Sequence, residues 1–499
     1  MSSLEQPAKR GQNTDGPPPS GGGAHQASSR WRSSLPLYIV AAAAVCLRLA
    51  ATGGDLVQDE VWSLKIATGS DSAWQIFVTP VDNNHILNTL ALCALGPHAP
   101  IWAYRLPAAL AGSLALWFAI RMVRRQGTVA GFCVLILLGF SHILIVFGTE
   151  ARGYGYLACC TLAAWWALES YCDRPRLRYA CAFGVASSLG FLSHLTFLFA
   201  YLAFGIYAVM KLRWRRGSWQ RLVMLNALPV LTCVVLLFTY ILGIGIGGGT
   251  PTPLIDTLRA TLSLMAGGPE RGDAAIIAAS IMAALIALSL AAEFRMNPAR
   301  GALFLTAIIV APGALLAVSG HAFLYPRYFL VPVIFGYVAV GSQLVRWFQA
   351  GRIGPCLMSL LLVGYVTCNL APVVKLIREG RGQYSRAVHW MAEHTAGPNV
   401  TVSSDHDFRN AWVIEFHAER DVQAYSGSGK PLEYVYSQEH REQGTEWFLQ
   451  HRFDGEPAPA DRYTDSFGNK YELVQVFPAG SISGWTWWLY RQPQRGEIR

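Results

Sequence analysis

Residues 128–149 read TVAGFCVLILLGFSHILIVFGT, a run without a single charged side chain. At ~1.5 Å of rise per helical residue, a run of this length crosses the ~30 Å hydrocarbon core of a bilayer. Residues 274–292 and 301–326 are likewise uncharged. A charge at the centre of a span costs ~2.5–3.5 kcal/mol on the insertion scale, so segments that exclude it over such a length are read as membrane helices. Working outward from 128–149 predicts eleven helices, roughly 36–53, 105–121, 128–147, 153–171, 179–194, 196–211, 222–243, 274–292, 301–319, 328–345 and 353–374. The predicted fold class is mainly α, a polytopic membrane helix bundle. The 179–211 stretch is read as two short helices meeting near His194.

Composition agrees. Of 499 residues, 53% are hydrophobic and 14% charged, against about 25% charged in a soluble domain. This excludes a soluble enzyme, a disordered protein and a disulfide scaffold. The net charge of +9 lies in short clusters between apolar runs, the pattern of cytoplasmic membrane loops rather than of a nucleic-acid face. The ten cysteines fall mostly inside apolar runs, where they act as small packing residues, and no disulfide framework is implied.

Arg121, Arg124 and Arg125, then Arg174, Arg176 and Arg178, then Lys211, Arg213, Arg215, Arg216 and Arg221, and finally Arg295, Arg300, Arg346 and Arg352 all fall on one side of an eleven-helix path. Positive-inside bias makes that side the cytoplasm. The expected organisation is a disordered cytoplasmic tail over 1–34, a transmembrane domain over 35–375 and an outer α/β domain over 376–499. The first outer loop, 54–104, contains amphipathic stretches such as 61–78. In the C-terminal part, helical patterns at Tyr384–Glu393 and Phe408–Ala418 alternate with strand-like runs at Val400–Ser403, Tyr471–Phe477 and Thr486–Tyr490. The Gly- and Pro-rich stretch 243–253 is a candidate lid over the outer side.

Polar groups gather at the outer turns. Asp55, Asp59 and Glu60 follow the first span, and His85 lies further along the same loop. Glu150 and Arg152 sit between spans three and four, His194 between five and six, and His321 and Arg327 between nine and ten. Each has an ordinary reading: solvated acids, a surface ion pair, a helix cap at His85, a turn residue at His194, and snorkelling for Arg327 and for Arg48 inside span one. Their placement on one side is the informative feature, because four turns of a bundle can converge on one cavity.

Five local patterns are similar to one family. Asp59-Glu60-Val61-Trp62 follows the first span, and Asn83-Asn84-His85-Ile86-Leu87-Asn88 comes later in the loop. Arg105-Leu106-Pro107-Ala108-Ala109-Leu110 opens span two, and Glu150-Ala151-Arg152-Gly153-Tyr154 opens span four. Pro326-Arg327-Tyr328 precedes span ten. In this order the chain, over about 36–345, resembles the GT-C-type membrane glycosyltransferases. The likeness is to the protein O-mannosyltransferases and the lipid A aminoarabinose transferases. Ile86 stands where that family carries a proline after the histidine.

The resemblance implies an inverting hexosyl- or pentosyltransferase in the plasma membrane, moving a sugar from a polyprenyl-phosphate donor to a protein, lipid or cell-wall glycan hydroxyl. Asp59 is then the catalytic base. Arg327, with His194 and Arg152, would bind the donor phosphate, while Glu60, Asp55, His85 and Glu150 would orient donor or acceptor, with Glu60, Glu150 and His85 as alternative holders of a divalent metal ion. The rival readings are a surface-polysaccharide polymerase or ligase, and a lipid or solute transporter. A transporter places paired ionisable groups at mid-depth, where these spans carry almost none.

Overall fold

The computed structural model describes residues 22–123, 127–213, 217–245, 252–320, 324–424, 430–437, 439, 443–480 and 482–493. The expected lid over 243–253 falls largely outside these residues, as does His321.

Helix α1 (Gly22–Ala50) leads into a loop with three shorter helices, α2 (Gln58–Thr68), α3 (Ala73–Phe77) and α4 (Ile86–Leu95). The bundle continues through α5 (Ile101–Val123), α6 (Thr128–Gly139), α7 (His142–Gly148), α8 (Tyr154–Asp173), α9 (Leu177–Ser193) and α10 (Phe197–Leu212). It closes with α11 (Ser218–Thr239), α12 (Leu254–Ala266), α13 (Asp273–Met296), α14 (Pro298–Leu305), α15 (Ala311–Ser319), α16 (Leu330–Gln349) and α17 (Gly354–Glu379). Among the described residues, six helices are long and apolar enough to cross a membrane, or seven if α6 and α7 count as one span. The remaining expected spans lie on shorter or more polar helices such as α8, α9 and α10. As expected, α9 and α10 part at His194.

Two expectations need correction. Helix α1 starts at Gly22, inside the segment expected to be a disordered tail. The extension runs through Pro36, which has no N–H to donate and so leaves one bond of the helical ladder unmade.

The expected single span 128–147 is broken instead, with α6 and α7 bent by 61°. A break in apolar surroundings strands backbone groups that must find partners within the protein. Here they do. The Arg48 guanidinium donates to the carbonyls of Leu138 and Gly139, both at 2.8 Å, and the Tyr365 hydroxyl to that of Leu137 at 2.5 Å. The N–H of His142 donates to Asn369 Oδ1 at 2.8 Å, and the Ser141 hydroxyl caps α7. Arg48 is therefore buried inside the bundle rather than snorkelling to a surface. A Cβ on Gly139 would lie 2.9 Å from the Ala44 Cβ, so only glycine allows α1 this close to α6.

After α17 come α18 (Tyr384–His394), β1 (Val400–Ser404), α19 (Asp407–Ala424), β2 (Leu432–Tyr434), β3 (Trp447–Arg452), β4 (Arg462–Thr464), β5 (Lys470–Phe477) and β6 (Thr486–Arg491). The strands form one mixed sheet in the order β2-β1-β3-β6-β5-β4. The parallel pairs are β1–β2 and β1–β3. Short strands such as β2 and β4 carry too little alternation to be read from sequence. Trp447, Trp487, Val402 and Leu489 pack with Val413 and Ile414 of α19 in this domain's own core.

The α/β domain is anchored onto the 54–104 loop. Asp55 accepts hydrogen bonds from the backbone N–H of Ser385 (2.7 Å) and from its hydroxyl (2.9 Å). It thereby supplies the carboxylate that the N-terminus of α18 favours. Gln58 donates to the Phe408 carbonyl, and Arg420 to those of Pro97 and Ala99. The first turns of α2 thus sit beneath α19.

Candidate active site

Adjacent residues on a helix point about 100° apart, and α2 uses this to send Asp59 and Glu60 to different places. Glu60 turns inward and is wholly buried. Its oxygens accept two parallel hydrogen bonds from Arg105, at 2.7 and 2.5 Å. They also accept from the N–H groups of Ala151 (2.8 Å) and Val57 (3.1 Å). Burial opposes the charge, but Arg105 outweighs it and brings the carboxyl down to about 2. Arg105 further donates to the carbonyls of Thr52, Gly53, Gly54 and Asp55. The pair bolts the start of α2 to α5 and to the turn before α8.

Asp59 faces the other way. Its Oδ2 accepts from Arg152 at 2.8 Å and is paired with Arg327 at 2.9 Å. Arg152 also donates to Asn83 Oδ1 at 2.8 Å. The Asn83 amide in turn holds the Asp59 carbonyl at 2.8 Å and the Ser63 hydroxyl at 3.0 Å. Arg327 lies over the rings of Tyr325 and Tyr328. Burial disfavours the Asp59 carboxylate, and the two guanidinium groups overcome this, so it titrates below the usual range. With 20% of its side chain exposed against 4% for Arg152, Asp59 can still be reached.

A ring stack forms the adjacent wall. His85 and His194 lie 4.9 Å apart, and Tyr154 sits 4.9 Å from His194 and 5.5 Å from His85. Gly153 permits this: a Cβ there would lie 1.9 Å from the Ser193 carbonyl oxygen and 3.1 Å from the His85 Cβ. Both imidazoles are held neutral by burial and by the nearby Arg152 and Arg327 charges, His194 down to about 3 and His85 well below the usual value. Glu150 lies behind Arg152, its Oε2 3.9 Å from the guanidinium. Burial pushes its carboxyl up to about 7 against the pull of Arg152 and Arg381. Among the described residues, His85 Nε2, Glu150 Oε1, Arg152 Nε, Arg327 Nε and the Tyr154 hydroxyl have no hydrogen-bond partner.

Of the residues singled out from sequence, Asp59, Arg152, Arg327, His85, His194 and Glu150 come together. Asp55 and Glu60 do not join them. Their oxygens are committed to Ser385 and to Arg105, so both hold the frame. Asn83 and Tyr154 were missed as site residues although both lie inside the quoted motifs. Their neighbours His85 and Arg152 are ionisable side chains and draw the reading instead.

Over residues 89–238 the sequence matches a family described as dolichyl-phosphate-mannose-protein mannosyltransferase. Among solved structures, ArnT from Cupriavidus metallidurans bound to undecaprenyl phosphate has a TM-score of 0.50 at 12% identity, covering 93% of this chain and 99% of that one. The chain shares the fold of ArnT and, over 89–238, is similar in sequence to that mannosyltransferase family. It resembles the O-mannosyltransferase and aminoarabinose-transferase superfamily. The archaeal oligosaccharyltransferase AglB from Archaeoglobus fulgidus, in complex with an inhibitory peptide and a dolichol-phosphate, is 10% identical with a TM-score of 0.46 over 84% of this chain and 70% of that one. No curated protein matches significantly.

The matched region contains Glu150, Arg152 and His194, whereas Asp59, His85 and Arg327 lie outside it. No group of three or more His, Cys, Asp and Glu among the described residues is arranged to hold a metal ion. Of the residues expected to hold a divalent ion, Glu60 is committed to Arg105.

Proposed function

We propose that this protein transfers a sugar, with inversion, from a polyprenyl-phosphate donor to a hydroxyl acceptor at the outer face of the plasma membrane, with Asp59 as general base. The observation that carries this is the convergence of Asp59 with Arg152 and Arg327, beside two neutral imidazoles and under the edge of the α/β domain. The acceptor oxygen attacks the anomeric carbon from the side opposite the phosphate, which inverts that centre. Its proton passes to a carboxylate within hydrogen-bond reach. The bond to the phosphate oxygen breaks, and the charge that grows there is met by guanidinium groups, whose planar forks suit phosphate oxygens. The neutral His85 and His194 can donate hydrogen bonds without adding charge.

A lipid carrier fits the architecture. Its tail stays among the bundle's apolar helices while its headgroup reaches turns that meet water. That the structurally similar ArnT was solved bound to undecaprenyl phosphate supports the same donor class here. The arginine clusters at the opposite helix ends support the outer face.

The test is transfer by the purified protein in nanodiscs, with polyprenyl-phosphate sugars as donors and the products read by mass spectrometry. Asp59→Asn is expected to reduce turnover by on the order of 10²-fold or more while the protein still inserts and folds. Full activity in that variant overturns the assignment. Repeated addition of units to one chain identifies a polymerase instead.

A further inference from the structure

We propose that Asp59 is also the internal counter-anion of the donor site: its carboxylate occupies the arginines that the donor phosphate needs, and the two anions exchange places in every turnover. This rests on the donor reading above.

Geometry carries the argument. A single atom, Asp59 Oδ2, receives both Arg152 (2.8 Å) and Arg327 (2.9 Å). Neither arginine can lose its proton, so each needs an anion in this buried setting. Carboxylate and phosphate oxygens compete for the same N–H donors. The remaining groups around Asp59 do not substitute for it. Asn83 is neutral, Glu60 is committed to Arg105, Glu150 stands 3.9 Å from Arg152, and Arg409 of α19 adds a further positive charge. An incoming phosphate diester therefore has to displace Oδ2, and only then are the carboxylate's lone pairs available to the acceptor hydroxyl. The base is masked until the donor is seated.

The exchange also resets the site. During transfer the acceptor O–C bond forms, the C–O bond to phosphate breaks with its electron pair going to the phosphate oxygen, and the acceptor proton moves to Asp59. Protonated Asp59 cannot compete for the arginines, so the phosphate product stays bound. When the carboxyl loses its proton to water, it reclaims Arg152 and Arg327 and expels the product. Donor binding before acceptor follows as a compulsory order.

The experiment is equilibrium binding of undecaprenyl phosphate to the full-length protein in nanodiscs, with undecaprenol and inorganic phosphate as separate arms. Asp59→Asn is expected to bind the lipid phosphate about tenfold tighter than wild type or more, and Asp59→Ser to do the same if the asparagine variant folds poorly. Arg152→Gln and Arg327→Gln should lose binding, while Glu150→Gln, which removes a carboxyl without unmasking the arginines, should change it far less. Asp59 variants with unchanged or weaker affinity, or with a gain no larger than that of Glu150→Gln, overturn the exchange while the donor site stands. Binding that survives both arginine substitutions overturns the donor site itself. Tighter binding of inorganic phosphate without any gain for the lipid identifies an anion site that the donor does not use, and this too overturns the exchange.

Discussion

Glu60 and Arg105 face each other through two parallel hydrogen bonds of 2.7 and 2.5 Å, with both side chains fully excluded from solvent. Removing one partner of a buried pair leaves an uncompensated charge and costs ~3–5 kcal/mol. Glu60→Leu and Arg105→Met are each expected to lower thermal stability in detergent sharply. The double variant should recover little, because Arg105 also satisfies four loop carbonyls. Full recovery in the double variant would show that the carbonyl contacts contribute nothing.

Glu150 makes stability depend on pH in the opposite sense to its neighbours. Burial raises its carboxyl to about 7, above the ordinary unfolded value of about 4.3. The folded protein then holds a proton that the unfolded chain has released. Its contribution is complete below that unfolded value and is lost as pH rises through about 7, by on the order of 1–3 kcal/mol. Glu60, brought down to about 2, contributes stability that is lost only in acid. Melting temperatures of wild type and Glu150→Gln should diverge between pH 5 and 8, and parallel curves would remove Glu150 from the account.

The α6–α7 break depends on Arg48. Arg48→Met takes donors from the Leu138 and Gly139 carbonyls in apolar surroundings, where each unpaired group costs several kcal/mol. A large loss of folded protein is expected, readable by size-exclusion chromatography. Gly139→Ala should cost ~1–3 kcal/mol by overpacking against Ala44. If Arg48→Met melts like wild type, other groups hold the break open.

Topology is checked by labelling. A cysteine placed at Lys430 in the α/β domain should react with a membrane-impermeant thiol reagent on intact cells. Reaction only after the cytoplasmic side is opened would reverse the sidedness.

Much of this was legible before any coordinates. Charge-free runs mark helices because hydrocarbon excludes charge, whatever the neighbours do. The acids, imidazoles and arginines of the site stood out because they interrupt those runs at turns. Their division of labour was hidden. Asp59 and Glu60 are adjacent acids of nearly equal character, and only the direction each takes from α2 separates the residue facing two arginines from the one buried against Arg105. Asp55 has the spacing of a site residue yet caps α18, a contact made across 330 positions.

The amino-acid sequence by itself determined the helix bundle, the α/β domain and the family resemblance, because these follow from local periodicity, solvent exclusion and short motifs. The tertiary structure decided which charges meet. The bend at Gly139, the Asp55 anchor and the arginine pair on Asp59 all join groups far apart in the chain, and burial removes the water that would otherwise keep such groups independent.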